Sequence, residues 1–117
     1  MAWTLTVRSR GRVERDHFTE VEAALNTMES RLQTLVETAP KRELDLHYKK
    51  LEPVQQVFAR LELSGPERLV PSIRAGIDVR GDGSAEPYTG RVRRRAVAVR
   101  SGESPGGALR RVVMDES

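Results

Sequence analysis

The side chains in this sequence best suited to chemistry are arginines. The run Arg91-Val92-Arg93-Arg94-Arg95-Ala96-Val97-Ala98-Val99-Arg100 carries five of them and no acid, and Arg110 and Arg111 follow. From Pro87 to Val113 there are seven bases against one acid, Glu103, whereas Glu14 to Glu67 holds eleven acids and seven bases. A strand bearing several guanidinium heads can lie along phosphates, and each phosphate it neutralises steepens the salt dependence of binding. Guanidinium also forks onto carboxylate or phosphate in bidentate fashion. Arg91, Arg93, Arg94, Arg95, Arg100, Arg110 and Arg111 are therefore the candidate anion or nucleic-acid contacts. The competing reading is an edge strand that charge guards against sheet-to-sheet pairing. Aromatic residues make up 4% of the chain and Tyr88 is the only one near the run, which counts against base-stacking surfaces.

No other cluster reaches the standard of a site. His17 and His47 are the only histidines, and neither belongs to a metal-ligand spacing. Asp16 lies beside His17. On a strand, Asp45 and His47 share a face, a pair able to orient a proton-transferring imidazole. No G-x-S-x-G elbow or Walker-type loop accompanies them, so they read as a solvated face opposite Leu44, Leu46 and Tyr48. In Asp78 to Thr89 an EF-hand pattern is half present. Asp78, Asp82, Gly83 and Glu86 fall on ligand-loop positions, but Arg80 stands where an oxygen ligand belongs and Thr89 replaces the closing Glu. A turn between strands is expected there, not calcium. Without cysteine, disulfides, thiolate metal sites and a thiol nucleophile are excluded. The expectation is thus no catalytic residue, no cofactor and no metal.

These residues must be held by elements that hydrophobic periodicity reveals. Trp3, Leu5 and Val7 alternate with Thr4, Thr6 and Arg8, as in a half-buried strand. Gly11 suits a turn, and Arg12 to His17 returns as a second strand with Val13 inward. Val21, Leu25, Met28, Leu32, Leu35 and Ala39 then recur at steps of four and three, which predicts a long amphipathic helix over about 19–39. Thr19 and Glu22 read as its capping box, Phe18 and Ala23 as its hydrophobic staple, and Pro40 as its stop. The 4-3 spacing also suits a coiled-coil seam, but the sheet needs a cover.

Beyond Pro40 the period is two: Leu44 to Tyr48, then, after a loop at Lys49 to Pro53, Val57 to Leu63 and Ile73 to Val79. Gly81 to Ser84 makes a turn, and one last strand is expected from Tyr88 to Val99. Its faltering alternation suggests a bulge or an edge. Ser104 before Pro105 starts a short C-terminal helix over about 105–113, with 114–117 as a frayed tail. The expected fold is a single α+β domain, residues 1–113, with an antiparallel sheet of about 4–6 strands packed against the long helix, helices on one face.

The 117 residues carry 17 Arg and 3 Lys against 17 acids, a formal charge of +3. A GC-rich coding genome yields the same arginine bias, so composition alone does not demand a nucleic-acid partner. No apolar run approaches the roughly 18 residues of a membrane span. Met1 to Leu5 alternates like structure, not like a targeting leader, so a cytoplasmic, bacterial protein is expected.

Trp3-Thr4-Leu5, Arg12-Val13-Glu14-Arg15 leading into Phe18, the stretch Ala59 to Pro66 and the stretch Gly76 to Gly83 together span most of the chain. In these features it resembles a family of small α+β proteins from high-GC, actinobacterium-like genomes, a resemblance that implies no activity. The element order is also similar to that of the ribosome hibernation factors, which bind ribosomal RNA through basic helix faces. The long helix here departs from them, with Glu20, Glu22, Glu29 and Glu37 outward against Arg31. The functional expectation is a non-catalytic interaction domain that binds a protein partner or itself, with no membrane or metal. The alternative is an accessory RNA-, DNA- or ribosome-binding domain that uses the Arg-rich strand 91–100 in the C-terminal third.

Overall fold

The computed structural model describes residues 2–9, 11–38, 44–46, 49–51, 57–66, 73–90 and 93–116. Along the chain run β1 (Trp3–Ser9), β2 (Arg12–Phe18), α1 (Val21–Glu37), β3 (Leu44–Leu46), β4 (Lys49–Leu51), β5 (Val57–Gly65), β6 (Ile73–Arg80), β7 (Ala85–Thr89), β8 (Arg95–Ala96) and α2 (Pro105–Glu116). Six strands form one antiparallel sheet in the order β2-β1-β5-β6-β7-β8, and β3 and β4 pair separately. The fold is α+β, as expected.

Register explains the core. Leu5 stands opposite Leu63 and Val7 opposite Leu61, Leu61 opposite Ile77, and Ala59 opposite Val79. Because successive side chains alternate between faces, this pairing puts the apolar side chains of Trp3 to Val7, Ala59 to Leu63 and Ile73 to Val79 on one face. Both helices cover that face. From α1 come Ala24, Leu25, Met28, Leu32 and Leu35, from α2 Leu109 and Val113, and they join the strand residues in one buried cluster with Trp3. Ala24, beside Leu25 on the same helix face, is fully buried.

Several expectations need correction. Helix α1 begins at Val21, and its N-cap is Glu20 in an extended conformation with no side-chain capping bond. The Thr19/Glu22 box does not form, because the chain is still leaving β2 at Thr19; the first turn closes instead when the Ala24 N–H donates to the Glu20 carbonyl at 3.3 Å. Ala23 is exposed, so it staples nothing, while Phe18 packs against the core. The helix closes with the Thr38 N–H donating to the Thr34 carbonyl, and Pro40 lies outside the described residues. Val13 is 46% exposed rather than inward, because its register partner is Arg8 on the helix-free face. Where a loop was expected, Lys49–Leu51 is a strand. Val57 is exposed because the β5–β6 register shifts between Val57 and Ala59.

The largest departure is in the arginine-rich segment. The expected strand Tyr88 to Val99 is two short strands, β7 and β8, which fold back on each other with Tyr88 opposite Ala96 and Thr89 opposite Arg95. Gly90 between them has φ +112°, a backbone conformation that L side chains rarely adopt. The faltering alternation marked a reversal of direction, not a bulge.

Helix α2 starts as predicted, with Ser104 Oγ accepting from the Gly107 N–H at 3.0 Å, and it runs on to Glu116, past the expected end. Glu103 anchors it. Its carboxylate accepts from Arg111 at 3.0 and 3.1 Å and from the Arg100 N–H at 3.0 Å. The Arg111 hydrogen bonds, then the Arg100 amide, hold its pKa down at about 2.

Truncating the fully buried Leu61 to Ala should cost about 2–5 kcal/mol, read as a lower urea midpoint at unchanged slope. Glu103→Gln tests the α2 anchor through pH. The Glu103 pKa in the folded chain lies below its ordinary 4.5, so its stabilising contribution is complete above that value and fades as pH falls toward about 2. The gap in melting temperature between wild type and variant should therefore be widest near neutrality and close over that range.

Candidate functional site

The same alternation that fills the core sends the other half of each strand to a face that neither helix covers. Register arranges these side chains in rows across the sheet. His17, Thr4, Ser64 and Arg74 form one row, and Arg15, Thr6, Glu62, Gly76 and Tyr88 the next. Arg8, Arg60, Asp78 and Glu86 make a third. The first two rows apart from Gly76, with Arg8 and Arg94, line a cavity of about 510 Å³.

Within this face the charges divide into two groups. Toward β6 and β7 they are mutually satisfied. Asp78 accepts from Arg60 at 2.6 and 3.5 Å and has Arg94 at 3.6 Å. Arg80 forks onto Glu86 at 3.1 and 3.2 Å, and Arg8 lies 3.6 Å from Glu62. The Asp78 hydrogen bond raises the Arg60 pKa, and the Glu86 bond does the same for Arg80. Tyr88 lies flat across β6, since a Cβ at Gly76 would run into its ring and hydroxyl. The Arg94 guanidinium sits 4.4 Å over that ring, a cation–π arrangement. Burial pushes the Tyr88 phenol above its ordinary pKa, with Arg94 pulling the other way.

Toward β2 and the ends of β5 and β6 the cations are unmatched. Arg15 and Arg74 are exposed, and their guanidinium groups have no ion-pair or hydrogen-bond partner among the described residues. His17 Nδ1 is 3.1 Å from Thr4 Oγ1, while Asp16 alternates to the opposite face and makes no dyad with it. The Thr6 and Ser64 hydroxyls likewise have no hydrogen-bond partner among the described residues, and both side chains line the cavity. The arrangement can hold an anion between guanidinium walls over a hydroxyl floor.

No protein-family model, no curated protein and no solved structure matches this chain.

The seven arginines singled out from the sequence do not form one surface. Among the described residues of this set, Arg94 alone reaches the cavity, tied to Asp78 and Tyr88. Arg95 is exposed and in register with Thr89, hence on the opposite side of the sheet. Arg93 and Arg100 are exposed, and Arg91 lies outside the described residues. Arg110 binds Glu29 at 2.9 Å and also reaches Asn26 on α1, while Arg111 binds Glu103 and the Ala98 carbonyl. These last two fasten α2 to its surroundings.

The unmatched cations Arg15 and Arg74 were not singled out, because they lie alone among neighbours of mixed charge and only cross-strand register unites them. The one signal was the place of Arg74 on the polar phase of its strand, whereas Arg15 shares a phase with Val13, which was expected inward. The Asp45–His47 pair cannot be placed, since His47 lies outside the described residues. The Asp78 to Glu86 segment runs from the end of β6 through the turn at 81–84 to the start of β7, and in the turn Asp82 accepts from the Ser84 N–H at 2.8 Å and hydroxyl at 2.6 Å. Among the described residues no three potential ligands gather for a metal, and no helix is long and apolar enough to cross a membrane.

Asp78 is the acid on which the matched half depends. Replacing it with Asn should cost about 1–3 kcal/mol, the usual worth of hydrogen bonds to a charged group, in a urea titration. The variant should also bind anions more tightly than wild type, since Arg60 and Arg94 are released beside the cavity.

Proposed function

We propose that this chain is a non-catalytic interaction domain that receives an acidic segment of a protein partner on the helix-free face of its sheet. The observation that carries this reading is the pair Arg15 and Arg74, without carboxylate partners among the described residues and lining one cavity with His17, Arg8 and Arg94. Elsewhere on this face each acid is matched to an arginine, so unmatched guanidinium marks the place where an outside anion completes the pattern. Arginine supports such contacts better than lysine because its fork meets a carboxylate with two parallel bonds.

A nucleic-acid strand fits the same face less well. Tyr88 is 8% exposed and one side of its ring is covered by Arg94, so it offers little stacking area, and single-strand binders gain much of their affinity from stacking. The arginines of the C-terminal third also divide between two faces and internal ties, so they form no continuous track for a phosphate backbone.

Titration calorimetry with a Glu/Asp-rich peptide at low salt tests the reading. Arg15→Ala/Arg74→Ala should weaken binding roughly tenfold or more, while the double change Arg93→Ala/Arg95→Ala, equal in net charge, should leave it unaltered. Both arginine pairs are exposed, so folding should be unaffected. Equal binding by the two variants would sink the proposal. Tighter binding of a single-stranded oligonucleotide would transfer the face to nucleic acid, and sedimentation of a dimer abolished by the Arg15/Arg74 change would put a second copy there instead.

A further inference from the structure

We infer that the group the cavity is built to receive is a phosphate monoester carried on the partner segment, a phosphorylated serine, threonine or tyrosine, an inference that rests on the acidic-segment reading above. A carboxylate has two oxygens in one plane and is satisfied by a single guanidinium fork. The unmatched donors here are more numerous and come from several directions. Arg15 stands on β2, Thr6 on β1, Ser64 on β5 and Arg74 on β6. Arg15 and Arg74 are three strand spacings apart, roughly 14 Å, with the two hydroxyl-bearing strands between them.

Two guanidinium groups on opposite walls over hydroxyls on the floor match a tetrahedral anion with three free oxygens and close to two negative charges. The Thr6 and Ser64 hydroxyls have no hydrogen-bond partner among the described residues, and neither have the Arg15 and Arg74 guanidinium groups. The single acid in the lining, Glu62, is already engaged by Arg8 at 3.6 Å, which limits its repulsion of an incoming phosphate. At about 510 Å³ the cavity exceeds what a phosphate alone would fill, and so leaves room for the residue that carries it. Among the described residues no three potential metal ligands gather, and the site binds the group and leaves it intact.

The test is calorimetry at low salt with one acidic peptide in three forms, carrying phosphoserine, glutamate or serine at a central position, beside free phosphoserine and inorganic phosphate. The phosphopeptide should bind about tenfold or more tighter than the glutamate form. Arg15→Ala and Arg74→Ala should each remove most of that preference, Ser64→Ala should narrow it, and Arg95→Ala should leave it intact. Equal affinity for the phosphoserine and glutamate forms overturns this inference and leaves the acidic-segment reading standing. No binding of any peptide overturns both. Free phosphoserine or inorganic phosphate binding as tightly as the phosphopeptide would overturn recognition of a protein-borne group and make the cavity a small-anion site.

Discussion

The structure depends on one constraint: each strand of the large sheet has two faces, and only one of them can be dry. Leu5, Leu61, Leu63, Ile77 and Val79 are at most 1% exposed beneath α1 and α2. Because their pairing is in register, a slip by one residue would move this whole apolar set into water. The same register commits Thr4, Thr6, Arg8, Arg15, His17, Ser64 and Arg74 to the other side. The polar face is therefore the necessary complement of the core, and its layout is as strictly determined as the packing beneath the helices.

On that face, electrostatics decides what is closed and what remains open. Asp78, with a side chain 13% exposed, draws in Arg60 and Arg94, and Arg94 in turn covers Tyr88. This pile rests on Gly76, the only residue type that lets the tyrosine ring lie so close to the strand. The cations near β2 and at the start of β6 have no equivalent acid among the described residues. A folded domain tolerates them because they are exposed and water screens them. An anionic ligand would replace that water with direct charge-assisted bonds.

The C-terminal arginines contribute differently. Arg110 and Arg111 join α2 to α1 and to the segment before it through Glu29, Asn26, Glu103 and Ala98. A basic stretch that reads as free to bind phosphate in one dimension is, in three, partly spent on holding a helix in place.

Much of the fold was legible in the sequence, for a physical reason. Apolar periodicities of two and 3.6 report which residues leave water, and the sets around Leu5, Leu61, Ile77 and Leu25 were readable from spacing alone, as was the Ser104 cap of α2. Where two local signals competed, spacing did not suffice. Thr19 and Glu22 carry capping chemistry, yet the helix starts after Glu20. The weak alternation from Tyr88 to Val99 hid a chain reversal at Gly90. The candidate site was the least legible part. Arg15 and Arg74 are 59 positions apart, and nothing in their local sequence links them. Composition and periodicity determined that this chain has a dry layer, a wet layer and an excess of arginine. Only strand order and register, which are long-range pairings, decided which arginines find an acid, which fasten a helix, and which two among the described residues remain unmatched on one open face.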